Sequence, residues 1–425
     1  MGADGRTTGA DASADGESDG SVRASVAADL ERAGFVQFVV RADGDALAAS
    51  GILTRVLSDR GTPFQVTVGG TIAERTERAQ AVADGGADAD LTLSIGATDA
   101  AVTRLDASDR PATLAAVEVT RALDSSSNSE SESSLDPVLA LAGLVAAGVE
   151  PGAGESEWLL ETADERGLLE RRPGVVMPTS DPVDGLAHST RIRAPWSGDP
   201  DATAEALAEV DVDTDADLDA EGDADATEDD HRAIGSLVAL DVVGGGETAP
   251  RAADSIARAL KPYATPQGPF ATLGGYADVL EATARLEPGT GAALAMGHGA
   301  REQALAVWRR HGRQVHEALE AASTGRYDGL FVVGVDDAPV ASVADLAAAF
   351  LSPEPAVLAT GAGEAAIVTV DEPLSAGTVE RIARDLEEAT DGSDVAYDVA
   401  PRSGTLRFDA EIDDAAVIEH VRAVR

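Results

Sequence analysis

Strand-like and helix-like segments alternate between residues 35 and 96, and this order limits the folds open to the chain. The apolar run Phe35–Val40, the alternating run Phe64–Val68 and the run Leu91–Ile95 have the length and composition of strands. Between them lie two segments whose apolar residues recur at helical spacing, ALAASGILTRVLSDRG and TIAERTERAQAVADGGA. Such an alternation is typical of βαβ units, which place their strands side by side in a parallel sheet. We therefore predict an α/β fold in which these three runs are neighbouring parallel strands.

The C-terminal part of the chain indicates a second, smaller α/β domain. A clear strand at Gly329–Val335 is followed by further strand and helix signals up to the C-terminus. We expect a disordered tail over residues 1–23, a parallel-sheet domain over 24–325 and the smaller α/β domain over 326–425. Within the first domain, an acidic insertion is expected at about 205–230. Its last stretch, DVDTDADLDAEGDADATEDD, has no apolar period and is interpreted as a solvated loop.

The charge of the chain is extreme. The 425 residues include 76 acidic and 32 basic ones, which gives a net charge of −44. This surplus opposes compaction in dilute salt, but in molar salt the Debye length falls to about 3 Å and the repulsion is screened. The single lysine, Lys261, and the many alanine and valine residues fit the same interpretation of a halophilic protein. The charge therefore says little about binding partners.

Two absences narrow the functional classes. The chain has no cysteine, which excludes disulfides, thiolate metal sites and a cysteine nucleophile. It has no run of about 18 apolar residues, and its N-terminal segment lacks the apolar stretch of a signal peptide. We expect a cytoplasmic protein with no membrane partner.

Asp43 and Asp45 are the most informative polar residues. They stand where the first strand ends and its helix begins, and ligands of α/β proteins bind at this carboxyl edge of the sheet. Two carboxylates so placed can bracket an oxygen-preferring divalent cation such as Mn²⁺ or Mg²⁺. Aspartate is also a common residue of helix caps and loops, so a capping role is the alternative interpretation.

The segment FVVRADGDALAASGIL resembles the first motif of the DHH phosphoesterase superfamily. Three further segments resemble the archaeal RecJ-like branch of that superfamily, whose members associate with the replication complex GINS. They are GLAHSTRIRAPWSGDPD at 185–201, GGYADVLEATARLEPGTGAALAMG at 274–297 and VASVADLAAAFLSPEPAVLAT from residue 340. The resemblance implies a parallel-sheet DHH domain followed by a DHH-associated domain, with replication or repair proteins as partners. It also implies that single-stranded nucleic acid and Mn²⁺ or Mg²⁺ are bound.

The chain departs from that family at most of its metal ligands. Hydrolysis by two metal ions requires ligands for both ions, and the family supplies Asp and His at the ends of successive strands. At the matching places this chain has Gly96, with Asp99 nearby, and Asp106 followed by Ala107 and Ser108 where two histidines belong. The carboxylates left as metal ligands are Asp43, Asp45, Asp99 and Asp106. Of these, Asp43, Asp45 and Asp106 are expected to be vestiges of the catalytic set.

Two residues outside this set are candidates for contacts with nucleic acid. His298 lies between glycines in MGHGA, and a loop histidine that caps a helix is the alternative interpretation. Arg402 lies where the family carries a glycine-rich phosphate-binding segment, and an ordinary surface arginine is the alternative.

Two functions follow from these observations. In the first, the chain is a RecJ-like protein of DNA replication or repair that has lost most of its metal site and serves as a binding or scaffold subunit. In the second, it remains a Mn²⁺-dependent exonuclease that cleaves single-stranded DNA or RNA. The missing histidine pair favours the first, because Ala107 and Ser108 cannot replace imidazole ligands.

Overall fold

The computed structural model describes residues 23–81, 90–105, 110–126, 135–212, 224–244, 249, 251–390, 392–409 and 411–424. The predicted tail therefore lies outside the described residues except for Arg23. The middle of the predicted acidic insertion, 213–223, lies outside them as well.

The N-terminal sheet and its helices follow the predicted alternation. The elements are α1 (23–32), β1 (Val36–Arg41), α2 (Gly44–Arg60), β2 (Phe64–Gly69), α3 (Ile72–Ala81), β3 (Leu91–Ile95), β4 (Thr103–Arg104) and α4 (Ala112–Ser126). The strand order is β2-β1-β3-β4, and every neighbouring pair is parallel. The prediction of three adjacent parallel strands is confirmed.

Helices dominate the middle of the chain. They are α5 (Pro137–Ala146), α6 (Glu157–Glu165), α7 (Pro182–His188), α8 (Pro200–Ala208), α9 (Ala224–Gly244), α10 (Ala252–Ala259), α11 (Leu273–Leu286), α12 (Pro288–Ala295) and α13 (Arg301–Ala321), with two short antiparallel strands, β5 (Glu170–Arg171) and β6 (Tyr263–Ala264). Because α9 starts at Ala224, the last part of the acidic run is helical, and the loop interpretation was wrong there.

The second sheet is mixed. Its elements are β7 (Ser323–Tyr327), β8 (Leu330–Gly334), α14 (Val340–Phe350), β9 (Ala356–Gly361), β10 (Glu364–Thr369), α15 (Ala376–Ala389), β11 (Ala396–Ala400), β12 (Ser403–Arg407) and α16 (Asp414–Val424). The strand order is β11-β12-β10-β9-β8-β7, and only the β8–β9 pair is parallel. Strand β7 crosses the predicted domain boundary at 325/326, and the division of the chain into domains stays a prediction.

Burial of β1, the strand between β2 and β3, explains why its sequence is a nearly continuous apolar run. All residues of β1 are buried, and α2, which follows it, is buried almost throughout, because α4, α5, α11 and α12 pack around it. Small residues allow this close packing: a Cβ at Gly51 of α2 would lie 2.5 Å from the carbonyl oxygen of Ala295. The start of α2, which carries Asp43 and Asp45, is thus fixed between the sheet edge and several helices. Among the described helices, none is long and apolar enough to cross a membrane.

Candidate functional site

Asp43 is the N-cap of α2 at the carboxyl edge of β1. Its Oδ1 accepts a hydrogen bond from the N–H of Ala46 at 2.8 Å, and its Oδ2 pairs with the guanidinium of Arg41. Burial by itself raises the pKa of Asp43, but the charge of Arg41 and these hydrogen bonds outweigh burial and lower the pKa. The carboxylate is therefore ionised and already engaged on both oxygens.

Asp45 lies in the first turn of the same helix, but its carboxylate caps another helix. Its two carboxylate oxygens accept hydrogen bonds from the N–H groups of Ala112 and Thr113, each at 2.8 Å, at the start of α4. The Oγ1 of Thr113 donates in return to the carbonyl oxygen of Asp45 at 3.0 Å. The residue as a whole is 5% exposed. The pKa of Asp45 is raised to about 6, mainly by burial and secondly by repulsion from the charge of Asp43.

Arg41 joins the two carboxylates. It is the last residue of β1, and its Nη2 lies 4.0 Å from Oδ2 of Asp45 while its Nε contacts Asp43. The capping interpretation therefore describes both aspartates: each one satisfies orphan N–H groups at a helix start. Arg41 was not predicted as a site residue, although its position two residues before Asp43 was the available signal.

Two further charged residues, Glu281 and Arg285 of α11, lie beside the start of α2. Oε2 of Glu281 accepts from the N–H of Gly44 at 2.8 Å, and its Oε1 pairs with Nη2 of Arg285 at 2.7 Å. Burial alone lowers the pKa of Arg285, but the nearby carboxylates of Glu281, Asp345 and Asp43 raise it. The contact of Glu281 with the start of α2 could not be predicted from the sequence, because Glu281 and Gly44 are 237 positions apart.

The remaining predicted metal ligands do not join this cluster in the described part of the chain. Asp99 is exposed in the turn after β3, where its N–H donates to Oγ1 of Thr76 at 3.0 Å. Its charge acts on Tyr397 of β11, whose pKa is raised mainly by burial and then by Glu380 and Asp99. Asp106 lies outside the described residues. The described residues contain no group of three or more acidic or imidazole side chains that could hold a metal ion. They do not fit the two-metal centre that the RecJ-like resemblance implies.

The two predicted nucleic-acid contacts are on the surface. His298 is exposed in the loop between α12 and α13, and its carbonyl oxygen accepts from the N–H of Ala300 at 2.7 Å. Arg402 is exposed in the turn between β11 and β12, and its Nη1 donates to the carbonyl oxygen of Val370 at 3.1 Å. Their roles in binding stay predictions.

A cleft of about 230 Å³ lies between the edge of the first sheet and the second sheet. Its lining includes Gly70, Arg285, Asp337, Glu364 and Arg407. Because both signs of charge line it, the cleft favours no single kind of ion.

Comparison with known proteins identifies one close relative. A protein of Haloarcula marismortui, described as uncharacterized protein rrnAC1427, is 41% identical over 388 residues, which are 91% of this chain and 89% of that protein. The family model described as the C-terminal domain of rrnAC1427 matches residues 322–423.

Among solved structures, CDC45 from Entamoeba histolytica is similar with a TM-score of 0.59 and 9% identity, covering 96% of this chain and 99% of that one. A manganese-bound exonuclease RecJ gives a TM-score of 0.47 with 15% identity, covering 95% and 93% of the two chains. The likeness to CDC45 concerns the fold. Together with the two observed sheets, it confirms the predicted fold class, a parallel α/β domain followed by a smaller α/β domain.

Proposed function

Because this chain belongs to the family of the Haloarcula marismortui protein rrnAC1427 and has a fold that it shares with CDC45, we propose that it is a RecJ-like protein of DNA replication or repair. In this proposal it has lost the metal site of a nuclease. It acts as a binding or scaffold subunit and not as an exonuclease.

The main support for the proposal is that Asp43 and Asp45 are already hydrogen-bonded to other groups of the chain. Each of the four carboxylate oxygens of these two residues already accepts a hydrogen bond from an N–H group of the chain, and the one from Arg41 is also an ion pair. A catalytic carboxylate in a two-metal site must instead give oxygen lone pairs to the ions. Within the described residues, no histidine and no third acid approaches the pair closely enough to form a ligand set.

The proposed partners are replication or repair proteins, with a GINS-like complex as the first candidate. Single-stranded nucleic acid is a possible further ligand, for which His298 and Arg402 are the proposed contacts. We further propose that the protein works in the cytoplasm at molar salt. The net charge of −44 and the Haloarcula relative support this environment.

The proposal predicts that the purified chain has no nuclease activity beyond background. Labelled single-stranded DNA and RNA should be degraded by the wild type no faster than by an Asp43→Asn, Asp45→Asn double variant, with Mn²⁺ present and KCl at molar strength. The salt is essential because a chain of this charge is destabilised at low ionic strength. Product formation on a sequencing gel over several hours is the measurement.

A matched control is available in Asp136. This residue caps α5 through the N–H groups of Val138 and Leu139 and pairs with Arg55, as Asp43 does with Arg41. An Asp136→Asn variant therefore loses the charge and the ion pair of a capping aspartate in the same way, away from the sheet edge. Cleavage by the wild type and by Asp136→Asn that is absent in the double variant would overturn the proposal in favour of the exonuclease. No cleavage by any of the three, together with co-purification of replication proteins at molar KCl, would support the scaffold.

A further inference from the structure

Arg41 brings a fixed positive charge to the point where the two aspartates meet. Its side chain is 10% exposed, and those of Asp43 and Asp45 are 15% and 7% exposed. A charge this poorly hydrated is stable only when it is paired and hydrogen-bonded. Arg41 and the two carboxylates therefore depend on one another for their charge balance.

The neighbouring strand leaves room for the arginine. Gly96 follows β3 with a φ of +110°, and a Cβ there would lie 2.8 Å from the Cβ of Arg41. A contact this short requires one of the two residues to move. Gly96 is thus needed both for its backbone conformation and for the space that the stem of Arg41 occupies.

We propose that Arg41 is a resident cation that takes the electrostatic place of a divalent ion and thereby keeps the sheet edge free of metal. The two carboxylates also face the positive N-terminal ends of α2 and α4, through the N–H groups that they accept from. A divalent ion entering the site would be repelled by the guanidinium at close range, in surroundings where water screens the charges poorly. It could bind only if the arginine withdrew.

This inference rests on the proposed function, since it gives a physical reason for the loss of the metal site proposed above. It makes a prediction that the proposed function alone does not: removal of the arginine should create affinity for a divalent cation. Arg41→Ala and Arg41→Gln leave two buried carboxylates without the cation that lies against both of them. The charge of Arg285 still acts on Asp43, but Mn²⁺ can now approach and use the carboxylate oxygens as ligands.

The test is calorimetric titration with MnCl₂ in molar KCl, combined with melting temperatures with and without Mn²⁺. The wild type should show no binding and no Mn²⁺-dependent melting shift. Arg41→Ala and Arg41→Gln should melt at a lower temperature and bind one Mn²⁺ at least tenfold more tightly than the weakest binding that the titration detects. They should regain several degrees when Mn²⁺ is added. An Arg55→Ala variant is the matched control, because Arg55 pairs with one carboxylate, that of Asp136, and otherwise donates to the carbonyl oxygen of Ala295.

The outcomes separate the inference from the proposed function. If the wild type and both Arg41 variants fail to bind Mn²⁺ while the variants remain folded by circular dichroism, the inference is wrong and the loss of the metal site stands. If the wild type binds Mn²⁺ and an Asp43→Asn variant does not, both are wrong. Mn²⁺ binding that is gained equally in Arg55→Ala would also overturn the inference, because the effect would then not depend on the paired carboxylates.

Discussion

Replacing Asp398 with alanine is expected to lower the free energy of unfolding by about 3–5 kcal/mol, the range for breaking one side of a buried ion pair. Its partner, Arg75 of α3, has a fully buried side chain. Nη1 and Nη2 of Arg75 donate to the two oxygens of Asp398 at 3.1 and 2.5 Å. Two further bonds hold the guanidinium, to the carbonyl oxygens of Ala97 at 2.8 Å and Gly69 at 3.0 Å. Without Asp398, a guanidinium charge would remain buried and unpaired.

This ion pair links the two sheets, because Arg75 stands on a helix of the first sheet and Asp398 on the edge strand β11 of the second. Molar salt screens exposed pairs strongly but reaches a buried pair far less. Urea unfolding in molar KCl is the measurement. Glu380→Ala is the control, because Glu380 pairs with Arg384 on the exposed face of α15, and its loss should change stability by no more than about 0.5 kcal/mol. A loss below about 1 kcal/mol for Asp398→Ala would contradict the account of a linked pair.

Acid is expected to destabilise the protein through two buried histidines of α13. Burial lowers the pKa of His311 to about 4 and that of His316 to about 4, against 6.5 for a free side chain. His311 is hydrogen-bonded through Nε2 to Oγ of Ser342 at 2.9 Å, and His316 through Nε2 to the carbonyl oxygen of Ser189 at 2.9 Å. Both rings are therefore neutral in the folded protein.

The direction of this pH effect follows from the protonation of the two histidines in the folded and unfolded protein. The unfolded chain takes up protons at these histidines near pH 6.5 and the folded chain only near pH 4. Their contribution is thus fully present above pH 6.5 and is lost as the pH falls toward 4. Between pH 7.5 and 5 the loss is about 2 kcal/mol per histidine. Carboxyls with a raised pKa, such as Asp45 at about 6, act in the opposite direction, so the total curve mixes both signs.

Variants isolate the histidine contribution. The difference in unfolding free energy between pH 7.5 and pH 5, measured with urea in molar KCl, should shrink by about 2 kcal/mol in His311→Gln and again by about 2 kcal/mol in the His311→Gln, His316→Gln double variant. His298→Gln is the control, because His298 is exposed in a loop. An unchanged pH dependence of the unfolding free energy in the double variant would show that these two histidines do not cause the loss of stability in acid.

The sequence predicted the first sheet well because the buried β1 appears as an apolar run, and β2 and β3 alternate apolar and polar residues as strands do. Each of the three predicted runs differs from the observed strand by no more than one residue at either end. The start of α9 could not be predicted in the same way, because the acidic run before it has no apolar period. Ion pairs between residues far apart in the sequence could not be predicted either: Arg75 and Asp398 are 323 residues apart, and neither stands in a motif.

The role of the candidate site also could not be predicted from local sequence. A pattern of Asp-Gly-Asp after a strand is compatible with a metal site and with helix capping, and the sequence left both open. What separates them is the direction of N–H groups from a second helix, α4, toward Asp45, and the position of Arg41 between the two acids. Both depend on tertiary packing that local sequence does not encode.

The central claim is that no divalent cation binds at Asp43 and Asp45, and anomalous scattering from crystals soaked in Mn²⁺ at molar KCl tests it most directly. Data collected at the manganese absorption edge should show no anomalous peak within about 2.5 Å of either carboxylate, because Arg41 and the N–H groups of α2 and α4 already occupy the site. Two peaks about 3.5–4 Å apart beside these carboxylates, with Arg41 turned away, would contradict the claim and establish a two-metal centre.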